Sequence, residues 1–114
     1  MKKNVIIIGA GEAGKMVAND ILNNSRLKEK YDIIGFLDDD PSKDVVNHIP
    51  VIGKINDTRE IVNKYKIDEI IIAIPSAKQE VISKIIQKTY GLDCIVKIVP
   101  GIYEIIKGDV KWNQ

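Results

Sequence analysis

Short apolar runs alternate along this chain with longer stretches in which apolar residues recur at helical spacing. The runs lie at 5–8, 32–38, 70–74 and 95–99, and a shorter one that begins with proline lies at 50–53. Runs that are apolar throughout are typical of parallel strands covered by helices on both faces. The pattern predicts an α/β fold, a doubly wound parallel sheet of about five strands in the order 3-2-1-4-5.

Three helices are predicted between these runs. The second begins at Asn56 or Asp57, with Glu60 placed to close a capping box, and Ser76 with Gln79 forms the same pattern at the start of the third. The first spans 12–23 and turns these apolar residues inward: Ala13, Met16, Val17, Ile21 and Leu22.

A glycine-rich motif follows the first strand. Gly9 permits a tight turn, Gly11 leaves room for a pyrophosphate, and Gly14 lets the helix pack closely against the sheet. Phosphates meet the free N–H groups and positive dipole at the start of that helix, which places Glu12 and Ala13 at the site. The motif predicts a nucleotide site in a Rossmann-like fold, and an ordinary strand-to-helix turn is the competing interpretation.

Three aspartates follow the second apolar run. Asp38 lies where this fold places the carboxylate that accepts hydrogen bonds from the adenosine ribose. Asp39 is a second candidate there, although it also suits a turn, as does Asp40 before proline. Three carboxylates repel a phosphate on that ribose, so NAD is favoured over NADP and over the 3′-phosphate of coenzyme A. A solvated acidic turn is the alternative interpretation.

The apolar run at 70–74 is expected to end beside the glycine loop. Ile74, Pro75 and Ser76 stand at this carboxyl edge, where open α/β sheets bind ligands. Ser76 is expected to contact ligand, to cap the following helix, or both.

Composition and charge argue against several classes of function. The 114 residues suffice for one domain, and the formal net charge of +1 comes from scattered basic residues, which argues against a nucleic-acid partner. Cys94 is the single cysteine, which fits a reducing cytoplasm. No residues at metal-ligand spacing and no run suited to a signal peptide or a transmembrane helix occur, so a soluble chain is expected.

The C-terminal residues carry a motif that we reject as a catalytic site. We assign 1–101 to the nucleotide-binding domain and 102–114 to a stub that leads toward a missing catalytic domain. Tyr103 and Lys107 match the Tyr-x-x-x-Lys pair of short-chain dehydrogenases, but they follow the last strand and lack a hydroxyl partner, so no catalytic residue is assigned. Trp112 suggests a partner surface, including one between copies of this chain.

Five segments of the sequence occur in a diagnostic order: GAGEAG, IIGFLDDDPSK, IPVIGKI, IDEIIIAIPSA and VKIVPGIYEIIKGDV. Together they resemble the nucleotide-binding domain of CapD-like polysaccharide biosynthesis proteins, over nearly the whole chain. The resemblance implies a parent nucleotide-sugar 4,6-dehydratase or epimerase of surface polysaccharide or capsule synthesis. It also implies a membrane-anchored parent in which this domain is cytoplasmic.

The first half of the chain is similar to a second family as well. Sugar O- and N-acyltransferases have an N-terminal domain that binds a nucleotide sugar, but they usually carry a histidine where this sequence has Glu12 and Ala13. They also continue into hexapeptide repeats, which this sequence lacks. The ligand therefore stays open among NAD, a nucleotide sugar and coenzyme A, and a stand-alone NAD-binding or regulatory module is a third possibility.

Overall fold

The computed structural model describes residues 1–100, and the predicted stub with Tyr103, Lys107 and Trp112 lies outside the described residues. Its helices are α1 (Glu12–Asn23), α2 (Ser25–Lys30), α3 (Thr58–Tyr65) and α4 (Gln79–Gln87), with a 3₁₀ helix at Ile55–Asp57. Its strands are β1 (Lys3–Ile8), β2 (Tyr31–Leu37), β3 (Val45–Val46), β4 (Ile49–Gly53), β5 (Glu69–Ile72) and β6 (Ile95–Ile98).

These strands form one six-stranded sheet in the order β3-β4-β2-β1-β5-β6. All pairs are parallel except β3 with β4, so the predicted order 3-2-1-4-5 is confirmed and one edge strand is added. The added strand has only two residues, too few for a periodic signal. It is held by a turn in which Asn47 and His48 have φ of 52° and 66°, the positive values that a two-residue hairpin turn requires.

Helices cover the two faces of the sheet and build two apolar clusters. On the first face, α1 contributes Ala18 and Ile21, which pack with Val5 and Phe36. On the second face, α3 contributes Ile61 and α4 contributes Ile85. The central strands are buried on both faces because each successive side chain enters the opposite cluster. None of the helices among residues 1–100 is both long enough and apolar enough to cross a bilayer.

The structure corrects several helix expectations. A short helix, α2, was not predicted, although its cap was visible in the sequence as Asn24, whose side chain accepts hydrogen bonds from the backbone N–H of Arg26 (3.0 Å) and Leu27 (3.2 Å). In α1, Met16 and Leu22 do not point into the core, since 59% and 38% of their surfaces are exposed. Both residues follow the helical spacing of the apolar face, but Met16 borders an open groove between α1 and the end of β6.

Neither predicted capping box forms, although Asp57 is the N-cap residue of α3, one of the two positions predicted for it. The carboxylate of Asp57 accepts from the backbone N–H of Lys54 at 2.9 Å and so stabilises the 3₁₀ helix rather than the start of α3. Helix α4 begins at Gln79 after an extended Lys78, so Ser76 is not its N-cap. A turn in which Ala77 N–H donates to the carbonyl of Ile74 at 2.9 Å separates Ser76 from the helix.

Candidate functional site

The glycine loop runs from the end of β1 to the start of α1 and needs glycine for two different reasons. Gly9 has φ of 105°, and a Cβ atom there would lie 2.5 Å from the carbonyl oxygen of Ala73. A Cβ atom at Gly14 would collide with the carbonyl oxygen of Gly9, because α1 passes directly over the turn. These two glycines therefore set the turn and the close approach of helix to sheet.

Gly11 occupies a different environment in the same loop. It is the N-cap of α1 with φ of −86° and ψ of −157°, and apart from its two neighbours in the chain no described heavy atom lies within 4 Å of where its Cβ would be. No side chain among the described residues caps this helix. The first N–H groups of α1, which have no partner within the helix, thus face open space at its positive end.

A cavity of about 280 Å³ opens in front of this helix start. It brings together eight of the ten residues that the sequence predicted, and Ala73 is the one further lining residue, which directly precedes the predicted Ile74. The lining residues are Gly9, Gly11, Glu12, Ala13, Asp38, Ala73, Ile74, Pro75 and Ser76. We call this space the glycine-loop cavity.

Asp38 links the two loops that meet at this cavity. One carboxylate oxygen, Oδ2, accepts from the backbone N–H of Ala10 at 2.8 Å, and Oδ1 accepts from the backbone N–H of Asp40 at 2.8 Å. A carboxylate has about four acceptor positions, so roughly two remain for a ligand. Asp38 is therefore a positioning group for the glycine loop and still an available acceptor.

Asp39 does not line the glycine-loop cavity, although the sequence placed it among the site residues. Its carboxylate accepts from the backbone N–H of Ile55 at 2.9 Å, and it borders a separate space of about 310 Å³ between the 3₁₀ helix and α4. Asp40 accepts from the backbone N–H and the hydroxyl of Ser42, at 2.9 and 2.7 Å, which lowers the pKa of Asp40. Both side chains hold the loop after β2 in shape.

Two further spaces border the glycine-loop cavity along the carboxyl edge. One, of about 210 Å³, lies between α1 and the end of β6, and we call it the α1–β6 groove. The other, of about 330 Å³, lies between the end of β5, the end of β6 and α4. Pro75 lines all three spaces.

The described lining of the glycine-loop cavity carries few polar side chains. Glu12, Asp38 and Ser76 carry its polar side chains, and neither a lysine nor an arginine lines it. A serine needs an adjacent base to act as a nucleophile, and the lining provides no histidine, lysine or cysteine for that task. The described cavity offers backbone donors at the helix start and carboxylate acceptors opposite them.

The profile of a protein family described as the CoA-binding domain matches residues 1–100 of this chain. Two curated relatives are similar over nearly the whole chain. The probable polysaccharide biosynthesis protein EpsC of Bacillus subtilis is 34% identical over 90% of the chain, and the capsular polysaccharide biosynthesis protein CapD of Staphylococcus aureus is 27% identical over 99% of it. Both matches confirm the resemblance carried by the five sequence segments.

The chain spans only 17% of the EpsC relative and 19% of the CapD relative. Among solved structures, the UDP-D-quinovosamine 4-dehydrogenase from Vibrio fischeri is similar with a TM-score of 0.76 and 28% sequence identity. That match covers 96% of this chain and 87% of the other. The Rossmann-like fold expected from the glycine motif is thereby confirmed.

Proposed function

This chain belongs to the CoA-binding domain family, and we propose that it is the nucleotide-binding domain of an enzyme that builds surface polysaccharide. The observation that carries the binding proposal is the meeting of three features at the glycine-loop cavity: the uncapped start of α1, the open space at Gly11 and the carboxylate of Asp38. A pyrophosphate placed there accepts hydrogen bonds from the first N–H groups of α1 and gains from the helix dipole.

NAD is the ligand that we propose first. With the pyrophosphate on the helix start, the adenosine ribose extends toward the end of β2, where Asp38 offers its remaining acceptor positions. The cavity lining contains two carboxylates, Glu12 and Asp38, and no cationic side chain to neutralise an additional phosphate. The 2′-phosphate of NADP and the 3′-phosphate of coenzyme A are therefore repelled.

The role of the parent enzyme rests on the relatives. EpsC and CapD are named for polysaccharide biosynthesis, and the similar solved structure is named as a nucleotide-sugar dehydrogenase. We propose a parent that acts as a nucleotide-sugar epimerase or dehydratase, with its sugar chemistry in a further domain. In this proposal the domain faces the cytoplasm and its parent is anchored to the membrane.

Binding measurements with four ligands test the proposal. Isothermal titration of the purified chain with NAD, NADP, coenzyme A and UDP-N-acetylglucosamine should give the highest affinity for NAD, with NADP at least about tenfold weaker, which is about 1.4 kcal/mol. Tighter binding of NADP or coenzyme A would overturn the role given to Asp38. Binding of UDP-N-acetylglucosamine alone would favour the acyltransferase family, and binding of none would contradict the nucleotide-site proposal.

A further inference from the structure

Lysines that are scattered through the sequence come together at one edge of the folded sheet. Strands β1, β2, β5 and β6 are parallel, so their amino ends share an edge, and α2 and α3 end just before β2 and β5 begin. Six exposed lysines enter these strands or end these helices: Lys2, Lys3, Lys28, Lys30, Lys64 and Lys66. We call this surface the lysine edge.

Contacts between the segments hold these lysines near one another. Lys3 is opposite Tyr31 in the sheet register, and the ammonium group of Lys30 lies 5.2 Å from the centre of the Tyr31 ring. The side-chain amide of Asn4 donates to the carbonyl oxygen of Lys66 at 3.2 Å, which joins the end of α3 to the start of β1. The amino ends of β1 and β2 and the end of α3 therefore form one continuous surface.

The positive charge of the lysine edge is not neutralised within the described residues. Among residues 1–100, Lys97 and Glu69 form the only ion pair within 4 Å, so none of the six lysines is paired there. Helix dipoles account for lysines in the last turns of α2 and α3, but Lys2 and Lys3 belong to no helix. The exposed acidic residues at this edge are fewer than the lysines: Glu29, Asp32, Asp68 and Asp93.

The opposite edge of the sheet differs in charge. The carboxyl edge carries Glu12 and the three aspartates at 38–40, and neither lysine nor arginine lines its glycine-loop cavity. The six residues of β1 separate the two edges by about 20 Å. Since the Debye length at physiological salt is about 8 Å, a negative surface in contact with the lysine edge repels the far aspartates only weakly.

We propose that the lysine edge lies against a bilayer surface that carries anionic headgroups. Basic clusters next to such a surface are attracted by its negative potential. The attraction orients the domain, because the two edges carry different charge. The glycine-loop cavity then faces away from the bilayer and stays open to solution.

The shape of the lysine edge favours a continuous negative surface over a nucleic acid. None of the six lysines lines any of the four spaces described above, so the edge offers no pocket for an individual phosphate. The nearby rings are covered rather than free to stack on bases: Tyr31 is 7% exposed, and the ammonium group of Lys64 lies 5.4 Å from the centre of the Tyr65 ring. A bilayer surface requires neither a pocket nor a stacking platform.

This placement does not depend on the ligand proposed above. It rests on the charges of the lysine edge, whereas nucleotide binding rests on the glycine loop and Asp38 at the opposite edge. Vesicle binding without nucleotide binding, or the reverse, would therefore separate the two proposals.

Cosedimentation of the 114-residue chain with lipid vesicles tests the proposal. At about 0.1 M salt the chain should bind vesicles of phosphatidylcholine and phosphatidylglycerol but not vesicles of phosphatidylcholine alone, and about 1 M salt should release it, because the Debye length falls to about 3 Å. Each lysine near an anionic surface contributes about fivefold to partitioning, so Lys3→Gln, Lys30→Gln and Lys64→Gln together should weaken binding on the order of 100-fold.

A second triple variant is the matched control. Lys15→Gln, Lys54→Gln and Lys78→Gln remove the same charge from exposed lysines near the carboxyl edge, and this variant should bind vesicles within about threefold of the parent. Melting temperatures check that both variants fold, and the single substitutions at the lysine edge, at about fivefold each, replace a triple variant that does not. Equal loss of binding in both triple variants, or no binding of the parent to anionic vesicles, would overturn the proposal.

Fluorescent labels test the orientation directly. In a Cys94→Ala background, a label on Asn63→Cys, near the end of α3, should be quenched by a quencher attached to lipid headgroups, and a label on Ser42→Cys, after β2, should not. Quenching that is equal at both positions, or stronger at Ser42→Cys, would contradict the orientation. Binding of a DNA duplex without binding of anionic vesicles, lost in the lysine-edge triple variant, would show that the edge serves a nucleic acid and would refute the proposal.

Discussion

Substitution of Gly11 should change ligand affinity without changing the stability of the fold, so it tests the two separately. Its backbone, with φ of −86° and ψ of −157°, lies in a region open to every residue, and its Cβ position has no described neighbour within 4 Å apart from the two adjacent residues of the chain. Gly11→Ala gains about 0.4 to 1 kcal/mol by restricting the unfolded chain. It loses a comparable amount because alanine is a poorer N-cap than glycine. The two effects offset, so the free energy of unfolding should stay within about 1 kcal/mol of the parent, and Gly11→Val should behave similarly because valine favours extended backbone.

Binding should respond much more strongly than stability. The valine side chain occupies the space in which a phosphate accepts from the first N–H groups of α1. Hydrogen bonds to a charged group contribute about 1.5 to 3 kcal/mol each, so losing two of them weakens binding by at least about 100-fold. The single methyl group of Gly11→Ala should cost less, on the order of tenfold.

Urea unfolding and isothermal titration with NAD measure the two quantities on the same preparations. Gly53→Ala is the control for ligand binding, since its added methyl group lies outside the glycine-loop cavity; it approaches the carboxylate of Asp57 to 3.3 Å, a tight contact, so the stability of each variant is compared with the parent. NAD affinity equal to that of the parent in Gly11→Val would show that no phosphate lies on the start of α1. A loss of more than about 2 kcal/mol of stability in Gly11→Val would refute the reading of this position as open space.

Three further substitutions test the surroundings of the site and the core. Gly14→Ala should lower the free energy of unfolding by more than about 2 kcal/mol in urea, because its methyl group collides with the backbone of Gly9. Asp38→Ala should lower the free energy of unfolding by about 1.5 to 3 kcal/mol and also weaken NAD binding. Asp38→Asn keeps one acceptor oxygen and should lose less stability. Equal stability of the parent and these two variants would contradict the positioning role of Asp38. Lys97→Met should cost about 1 kcal/mol at pH 7, because it leaves the buried Glu69 without its cation, 3.4 Å away. Glu69 raises the pKa of Lys97 above its usual 10.5. The stability difference between Lys97→Met and the parent should therefore persist below about pH 10.5 and disappear as the pH rises through the raised pKa. A stability difference that does not vary between about pH 7 and 12 would contradict the ion-pair explanation.

The sheet order could be predicted because each central strand corresponds to a separate apolar run in the sequence. The run at 70–74 is apolar at every position, as is typical of a strand buried on both faces, and β5 pairs with β1 on one side and β6 on the other. The two-residue β3 could not be predicted, since two residues carry no period. It exists because the hairpin turn at Asn47 and His48 brings Val45 opposite Pro50 and Val46 opposite Ile49.

The site could be predicted in its lining and not in its hydrogen bonds. The glycine motif and the residues at the strand ends indicate which residues lie close together, and eight of the predicted residues line one cavity. The hydrogen-bond partner of a side chain depends on the backbone geometry of its loop, which cannot be predicted from the local sequence. Asp38 and Asp39 are adjacent and chemically identical, yet one accepts from Ala10 at the glycine loop and the other from Ile55 on the far side.

The partners of two carboxylates, Glu69 and Asp38, explain why one end of the sheet offers free acceptor positions and the other does not. Glu69, at the amino end of β5, is 2% exposed and is satisfied by the hydroxyl of Tyr31 at 3.3 Å and the ammonium of Lys97. A cation beside a carboxylate neutralises its charge and leaves little for a further partner. Asp38, at the carboxyl end of β2, is held by two backbone N–H groups, which orient the carboxylate without neutralising it. Its free acceptor positions therefore remain available to hydroxyl groups, and its negative charge repels phosphates. This combination would favour a ribose without an additional phosphate.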